Sequence, residues 1–217
     1  MALLEAQGKH AQLIQVYRHS TQLVTVIASA ASITVAFRAE ALLWAWTGNA
    51  DLARVAAPVL ALYALGNGIL AVAAFPYYLQ FAKGDLRLHM LGNAVFVVLL
   101  IPLIVWASYT FGAIGAALVW LGMNLLSFIA WLPLIHRRFE KGLNLHWYTQ
   151  DTTAIVAVCA LASYCASVAL PAAGSRADQF IKILLIGLMS LVAGALASSA
   201  MRRRVLRLWR SPQPQQG

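Results

Sequence analysis

The sequence predicts an all-α integral membrane protein with six transmembrane helices, on the strength of three observations. Of its 217 residues, 61% are hydrophobic and only 11% are Asp, Glu, Lys or Arg, less than half the roughly 25% charged fraction of a soluble domain. The apolar residues gather in runs long enough to cross a hydrocarbon core of about 30 Å. In lipid every backbone N–H and C=O needs a partner within the spanning structure, and runs this long and this rich in Ala and Leu are helices, not barrel strands.

The six predicted spans cover residues 19–37, 55–79, 89–108, 112–135, 152–172 and 179–201. Ahead of the first, the stretch "MALLEAQGKHAQLIQVYRHS" carries Glu5, Lys9, His10 and Arg18 where a signal peptide would need an unbroken apolar core, so no cleavable signal is expected. The first span itself holds Gln22, Thr25, Ser29, Ser32 and Thr34, a face turned toward protein or water. It is followed by "RAEALLWAWTGNADLARV", which reads as a helical extension at the interface ending in a turn at Thr47-Gly48. Trp44 and Trp46 there suit headgroup depth without any ligand.

The second span ends in "FPYYLQFAKGDLRLH", residues 75–89, where Gly84 supplies a tight reversal and Tyr77 and Tyr78 fall in the headgroup zone. Prolines 58, 76, 102 and 133 lie in or near spans two to four, and each removes a backbone donor and can kink its helix. The fourth span opens with "GAIGAALVW", whose Gly112, Gly115, Ala116 and Val119 form a small-residue surface for close packing. After it, "HRRFEKGLNLHWYTQD" is basic and aromatic and is expected to lie along the cytoplasmic surface. The fifth span contains both cysteines, Cys159 and Cys165, six residues apart on different sides of a helix, where they serve as small packing residues. The sixth runs into Arg202, Arg203, Arg204, Arg207 and Arg210, and the closing "SPQPQQG" lacks the apolar residues to pack.

Orientation follows from charge. The formal net charge is +9, from sixteen basic and seven acidic residues. With six spans, Lys9, Arg18, Lys83, Arg87, Arg137, Arg138, Lys141 and the five terminal arginines share one side, against Arg38, Arg54, Arg176 and Lys182 on the other. Twelve against four places both termini in the cytoplasm. The terminal arginines read as an anchor to anionic headgroups, so the positive balance implies membrane lipids as partners and no nucleic acid.

Within the spans, Asn67, Asn93 and Asn124 are amides that lipid cannot satisfy, so they should face the bundle, either bonding one another or lining a cavity. Asn124, Ser127 and Trp131 recur at helical spacing along one face of the fourth span. No phosphate-binding glycine-lysine loop or His-Glu-x-x-His pair is present, and every acidic residue falls in or beside a connection. No cofactor, metal or catalytic centre is therefore expected, and an enzyme is disfavoured.

The order of "LLWAWTGN", "APVLALYALGNGILAVAAFPYYLQFAKGDLRLHMLGN" and "YTFGAIGAALVWLGMNLL" resembles the C-terminal half of the polysaccharide biosynthesis export proteins. These are the O-antigen and lipid-linked oligosaccharide flippases of the multidrug/oligosaccharidyl-lipid/polysaccharide exporter superfamily. The resemblance spans residues 7–138, and beyond Tyr148 it is one of generic apolar helices. It implies a six-helix lobe, residues 19–204, preceded by a cytoplasmic amphipathic lead-in, 1–18, and followed by a basic tail, 205–217. Family members have two such lobes around a cavity, so the resemblance also implies a missing or separately encoded N-terminal lobe as partner.

The implied cargo is a polyprenyl-diphosphate-linked oligosaccharide, moved across a bacterial cytoplasmic membrane for surface polysaccharide synthesis. Arg18 and Arg38, which bracket the first span, become the expected contacts for its diphosphate. Asn67, Gln80, Asn93 and Asn124 become the expected amides facing sugar. An inactive or accessory half-transporter and a small-molecule exporter of the same superfamily are the alternatives.

Overall fold

The computed structural model describes residues 1–203, all in helices and the turns between them, with no strand among these residues. Arg204, Arg207, Arg210 and the closing "SPQPQQG" lie outside the described residues. Five helical segments have the length and composition to cross a membrane: His10–Phe37, Ala50–Ala82, Arg87–Phe139, Leu143–Ala169 and Arg176–Ala197. Their outer faces carry Val98 at 69% exposure, Trp106 at 60% and Leu184 at 72%. Faces so apolar are stable only when solvated by lipid, and the chain is an all-α membrane protein.

After a short helix α1 (Ala2–Ala6), α2 (His10–Phe37) starts nine residues before the expected span. Burial explains the extension, because Leu13 and Tyr17 are fully enclosed by a cluster that includes Leu79, Leu132 and Trp147. Helix α3 (Ala39–Thr47) then closes with Gly48 in the left-handed region at φ 71°. The Asn49 side chain opens α4 (Ala50–Ala73) by accepting from the Leu52 N–H at 3.0 Å. As the sequence predicts, one segment continues past residue 79, to Ala82, but its hydrogen-bond ladder is interrupted at Ala74 before α5 (Phe75–Ala82). Pro76, with no N–H to continue the ladder, accounts for the break.

The third segment is 53 residues long, and a straight helix of that length would extend about 80 Å. Yet Arg138, at its far end, donates to Asp85, just before its start, at 2.8 Å. The reversal is at Gly112, whose φ of 65° and ψ of −152° interrupt α6 (Arg87–Leu126). This backbone region is essentially open to glycine alone. Two antiparallel arms result: the Phe96 and Trp120 rings lie 6.5 Å apart, and Gly92 leaves the room that the Trp131 indole fills. A π-helical stretch, Ser127–Trp131, precedes α7 (Leu132–Phe139), where Pro133 would otherwise crowd the carbonyl four residues earlier.

The segment expected along the surface keeps half of its residues exposed and turns His136, Leu143, Trp147 and Asp151 inward. His136 and Trp147 have no exposed surface, and α8 (Leu143–His146) leads through a second π-helical stretch, Trp147–Thr153, into α9 (Ala154–Ala169). Its aromatic residues are the reason, since Trp147 completes the cluster around Leu13 and Tyr17. Helix α10 (Arg176–Ala197) packs on α2 and α9, where Gly194 admits the Cys159 sulfur and Val26. Cys159 is buried there as a packing residue, and Cys165 is exposed.

Ion pairs identify one end of the bundle as the basic end: Lys83 with Glu5 at 3.0 Å, His10 with Glu140 at 2.7 Å, and Arg138 with Asp85. The Arg87 N–H, followed by Arg138, holds the Asp85 carboxyl below its ordinary range. At the opposite end, Arg176 donates to the carbonyls of Ala45 and Trp46, each at 2.8 Å.

Gly112→Ala is expected to lower stability by about 1–3 kcal/mol, because the reversal leaves an L-residue in a strained conformation. No atom crowds the position, so the loss is conformational. Denaturation of the purified protein in detergent measures it, with Gly122→Ala, a helical glycine also free of neighbours, as the control.

Candidate functional site

The polar face of α2 builds the first of two polar regions. At helical spacing, Thr21, Gln22, Thr25, Ser29 and Thr34 are all buried. Gln22 meets Asp151, which stands in the π-helical stretch before α9 and has no exposed surface. Arg18 grips that carboxylate with two groups, Nε to Oδ2 at 2.6 Å and Nη2 to Oδ1 at 3.0 Å. Gln22 donates its Nε2 to Oδ1 at 2.6 Å. The Gln22 Oε1 in turn accepts from the Ser198 hydroxyl at 2.7 Å and the Ala200 N–H at 2.9 Å. One carboxylate and one amide thus tie α2, the entry to α9 and the exit of α10 together. The sequence-based expectation that all acidic residues lie at connections fails at Asp151, since the segment around it is drawn into the core.

Beside this clasp runs a second chain of bonds. The Trp147 indole donates to the Thr21 hydroxyl at 3.2 Å, and the Thr21 hydroxyl donates to the Tyr17 carbonyl at 3.0 Å. His136 stands 2.9 Å from the Tyr17 hydroxyl through Nε2 and 3.0 Å from Asn144 Oδ1 through Nδ1. Asn144 Oδ1 can only accept, so Nδ1 carries the proton and Nε2 accepts from tyrosine.

The second region is a cavity of about 330 Å³ between α4, α5 and the two arms of the reversed segment. It brings together Gln80, Asn93 and Asn124, three of the six residues expected to face cargo, with Ser127 and Trp131 from the same face as Asn124. The sequence reading missed Tyr77 and His89, whose rings meet at a tilt with centroids 4.6 Å apart on the cavity wall. Their only sequence signal was aromatic character beside a turn.

Asn93 donates Nδ2 to His89 Nε2 at 3.1 Å, and Asn124 donates Nδ2 to the Trp120 carbonyl at 2.8 Å. Gln80 is fully buried and donates to the Pro76 carbonyl at 3.3 Å, but its Oε1 has no hydrogen-bond partner. An unpaired buried acceptor costs about 1–3 kcal/mol, so a donor entering the cavity would be favoured there. Gly92, Phe96, Ser127 and Trp131 also border a neighbouring groove of about 200 Å³, otherwise lined by Val95, Leu99, Met123, Leu126 and Ala130. A largely apolar cavity carrying three amides therefore opens beside an apolar groove.

The other three expected residues lie elsewhere. Arg18 is committed to Asp151. Arg38 is at the opposite end, 7% exposed, donating to the carbonyls of Ser167 and Leu170 at the end of α9. Asn67 is exposed on the outer surface of α4, away from the cavity. Among the described residues, no three His, Cys, Asp or Glu side chains stand together as a metal site. No family model, curated protein or solved structure matches this chain.

Arg18→Ala is expected to destabilise the protein by roughly 2–3 kcal/mol, because it leaves a buried carboxylate uncompensated; partial water contact at Arg18 keeps the cost below that of a fully enclosed pair. Arg18→Ala with Asp151→Ala should recover at least half of that loss. Additive losses in a double-mutant cycle would mean that the pair is not coupled.

Proposed function

We propose that this chain is the C-terminal lobe of a flippase that carries a polyprenyl-diphosphate-linked oligosaccharide across a bacterial cytoplasmic membrane. In this reading the segment 87–139 crosses twice by reversing at Gly112, which gives six crossings with both termini on the cytoplasmic side. The observation that carries the proposal is a mostly apolar cavity with three amides in its wall, beside an apolar groove. Amides at Gln80, Asn93 and Asn124 suit hydroxyl groups, the faces of Tyr77 and Trp131 suit a sugar ring, and the groove suits a prenyl chain. Transfer between leaflets requires no covalent step, and the chain is not read as an enzyme.

The cavity, at about 330 Å³, is at the small end of ligand sites. It accommodates one sugar-sized group, so a longer cargo calls for a second lobe across from it, and alternating access calls for two bodies. One observation favours the accessory half-transporter instead: Arg18, an expected diphosphate contact, has its charge matched internally by Asp151.

Gln80→Leu separates these readings. Removing an unpaired buried acceptor should leave stability unchanged or raise it by about 1 kcal/mol. Binding of a fluorescent polyprenyl-diphosphate-sugar probe to the purified protein should weaken by about three- to ten-fold, the size of one hydrogen bond. Equal probe binding by both proteins would favour the accessory reading.

Topology is tested at Lys83 and Ala172. Single cysteines there, introduced into a Cys159→Ala, Cys165→Ala background, should react with an impermeant thiol reagent from opposite sides of the membrane. Labelling from the same side would overturn the six-crossing arrangement.

A further inference from the structure

At the end of the bundle opposite the basic one lies another cavity, of about 350 Å³, lined by Phe37, Arg38, Glu40, Ala41, Trp44, Ala172 and Gln179. Its two charges have no counter-ion in the fold. Arg38 is 7% exposed and bonds through Nη2 to the Ser167 and Leu170 carbonyls, but its buried Nε has no partner. Glu40 is exposed at the rim and is not paired with Arg38 or with any other cation among the described residues. The cavity therefore offers a cation without a counter-ion in its wall, an unmatched anion at its mouth, and the Trp44 indole beside them. A lone anion would meet Glu40, and a lone cation would meet Arg38. The complement of both is a zwitterion.

We propose that this cavity binds the headgroup of a zwitterionic phospholipid carrying a primary ammonium, of the phosphatidylethanolamine class. The phosphate accepts from the Arg38 guanidinium, and the ammonium donates to Glu40 and lies near the Trp44 ring. Location selects a lipid as the source, because Arg38 directly follows the membrane-crossing segment His10–Phe37 and half-exposed Phe37 lies against the cavity. Tryptophan at this depth is a headgroup residue. The site is separate from the amide-lined cavity and does not depend on the function proposed for it.

Native mass spectrometry and thermal denaturation of the full chain, titrated with phosphatidylethanolamine, phosphatidylglycerol or phosphatidylcholine of matched acyl chains, test the proposal. The wild type should retain phosphatidylethanolamine preferentially. Glu40→Gln should weaken that preference by about three- to five-fold, as expected for losing one partly exposed charge pair. Arg38 also caps α9, so Arg38→Gln should lower the melting temperature without lipid and, separately, abolish the lipid-dependent increase. Equal retention of the three lipids, or an unchanged preference in Glu40→Gln, would overturn the site. Saturation by free phosphoethanolamine at millimolar concentration would overturn its assignment to lipid in favour of a soluble zwitterion.

Discussion

The carboxylate of Asp151 imposes the constraint on which much of the bundle depends. A charge with no exposed surface, in a protein whose outer faces are apolar, needs an opposite charge and further donors within reach. Arg18 and Gln22 meet that need from adjacent turns of α2, and Gln22 spends its remaining acceptor capacity on the chain leaving α10. Helices that lipid would solvate equally well apart are thereby fixed in register. Apolar burial contributes little specificity of this kind, because lipid tails are as apolar as the leucines they replace. The aromatic cluster around Tyr17 and Trp147 lies next to the clasp and adds buried packing at the same end.

Away from that end, packing thins. The reversed segment 87–139 presents most of its surface outward, and its arms meet α4 through close approaches such as Trp120 against Gly66. A cavity survives between them because α5 is offset from α4 at Ala74, and the second arm widens into a π-helical turn at Ser127–Trp131. Both departures sit beside prolines, at Pro76 and Pro133. The backbone irregularities that lipid would penalise thus occur beside the amide-bearing cavity, and Gln80 is held at its wall with one acceptor unused. The two cavities with unpaired polar atoms lie at different ends of the bundle and differ in chemistry, neutral amides in one and opposed charges in the other.

Residue pattern made part of this legible in advance. The polar stripe of the first span was readable as a face turned from lipid, and Gln22, Thr25, Ser29 and Thr34 are buried. The face of Asn124, Ser127 and Trp131 was readable from helical spacing, and it lines the cavity. Which side chains of residues 136–151 turn inward, His136, Leu143, Trp147 and Asp151, was not readable, because a basic and aromatic stretch has the composition of an interfacial helix whichever of its residues pack inward. Asp151 looked like a residue of a connection for the same reason. Arg18 and Arg38 were expected to act alike, as charges at the two ends of one span, yet one finds a carboxylate 133 residues away and the other finds only carbonyls.

What the sequence determined by itself is the solvent of the fold: long runs of Ala, Leu and Val with few charges commit the chain to helices in lipid, and Pro76 marks where one of those helices can kink. What only the tertiary structure decided is which polar atoms are matched and which are left over. Hydrogen bonds and ion pairs depend on distances between residues far apart in the chain. The pairing of Arg18 with Asp151, and the unused groups of Gln80, Arg38 and Glu40, could be settled only once the helices were packed.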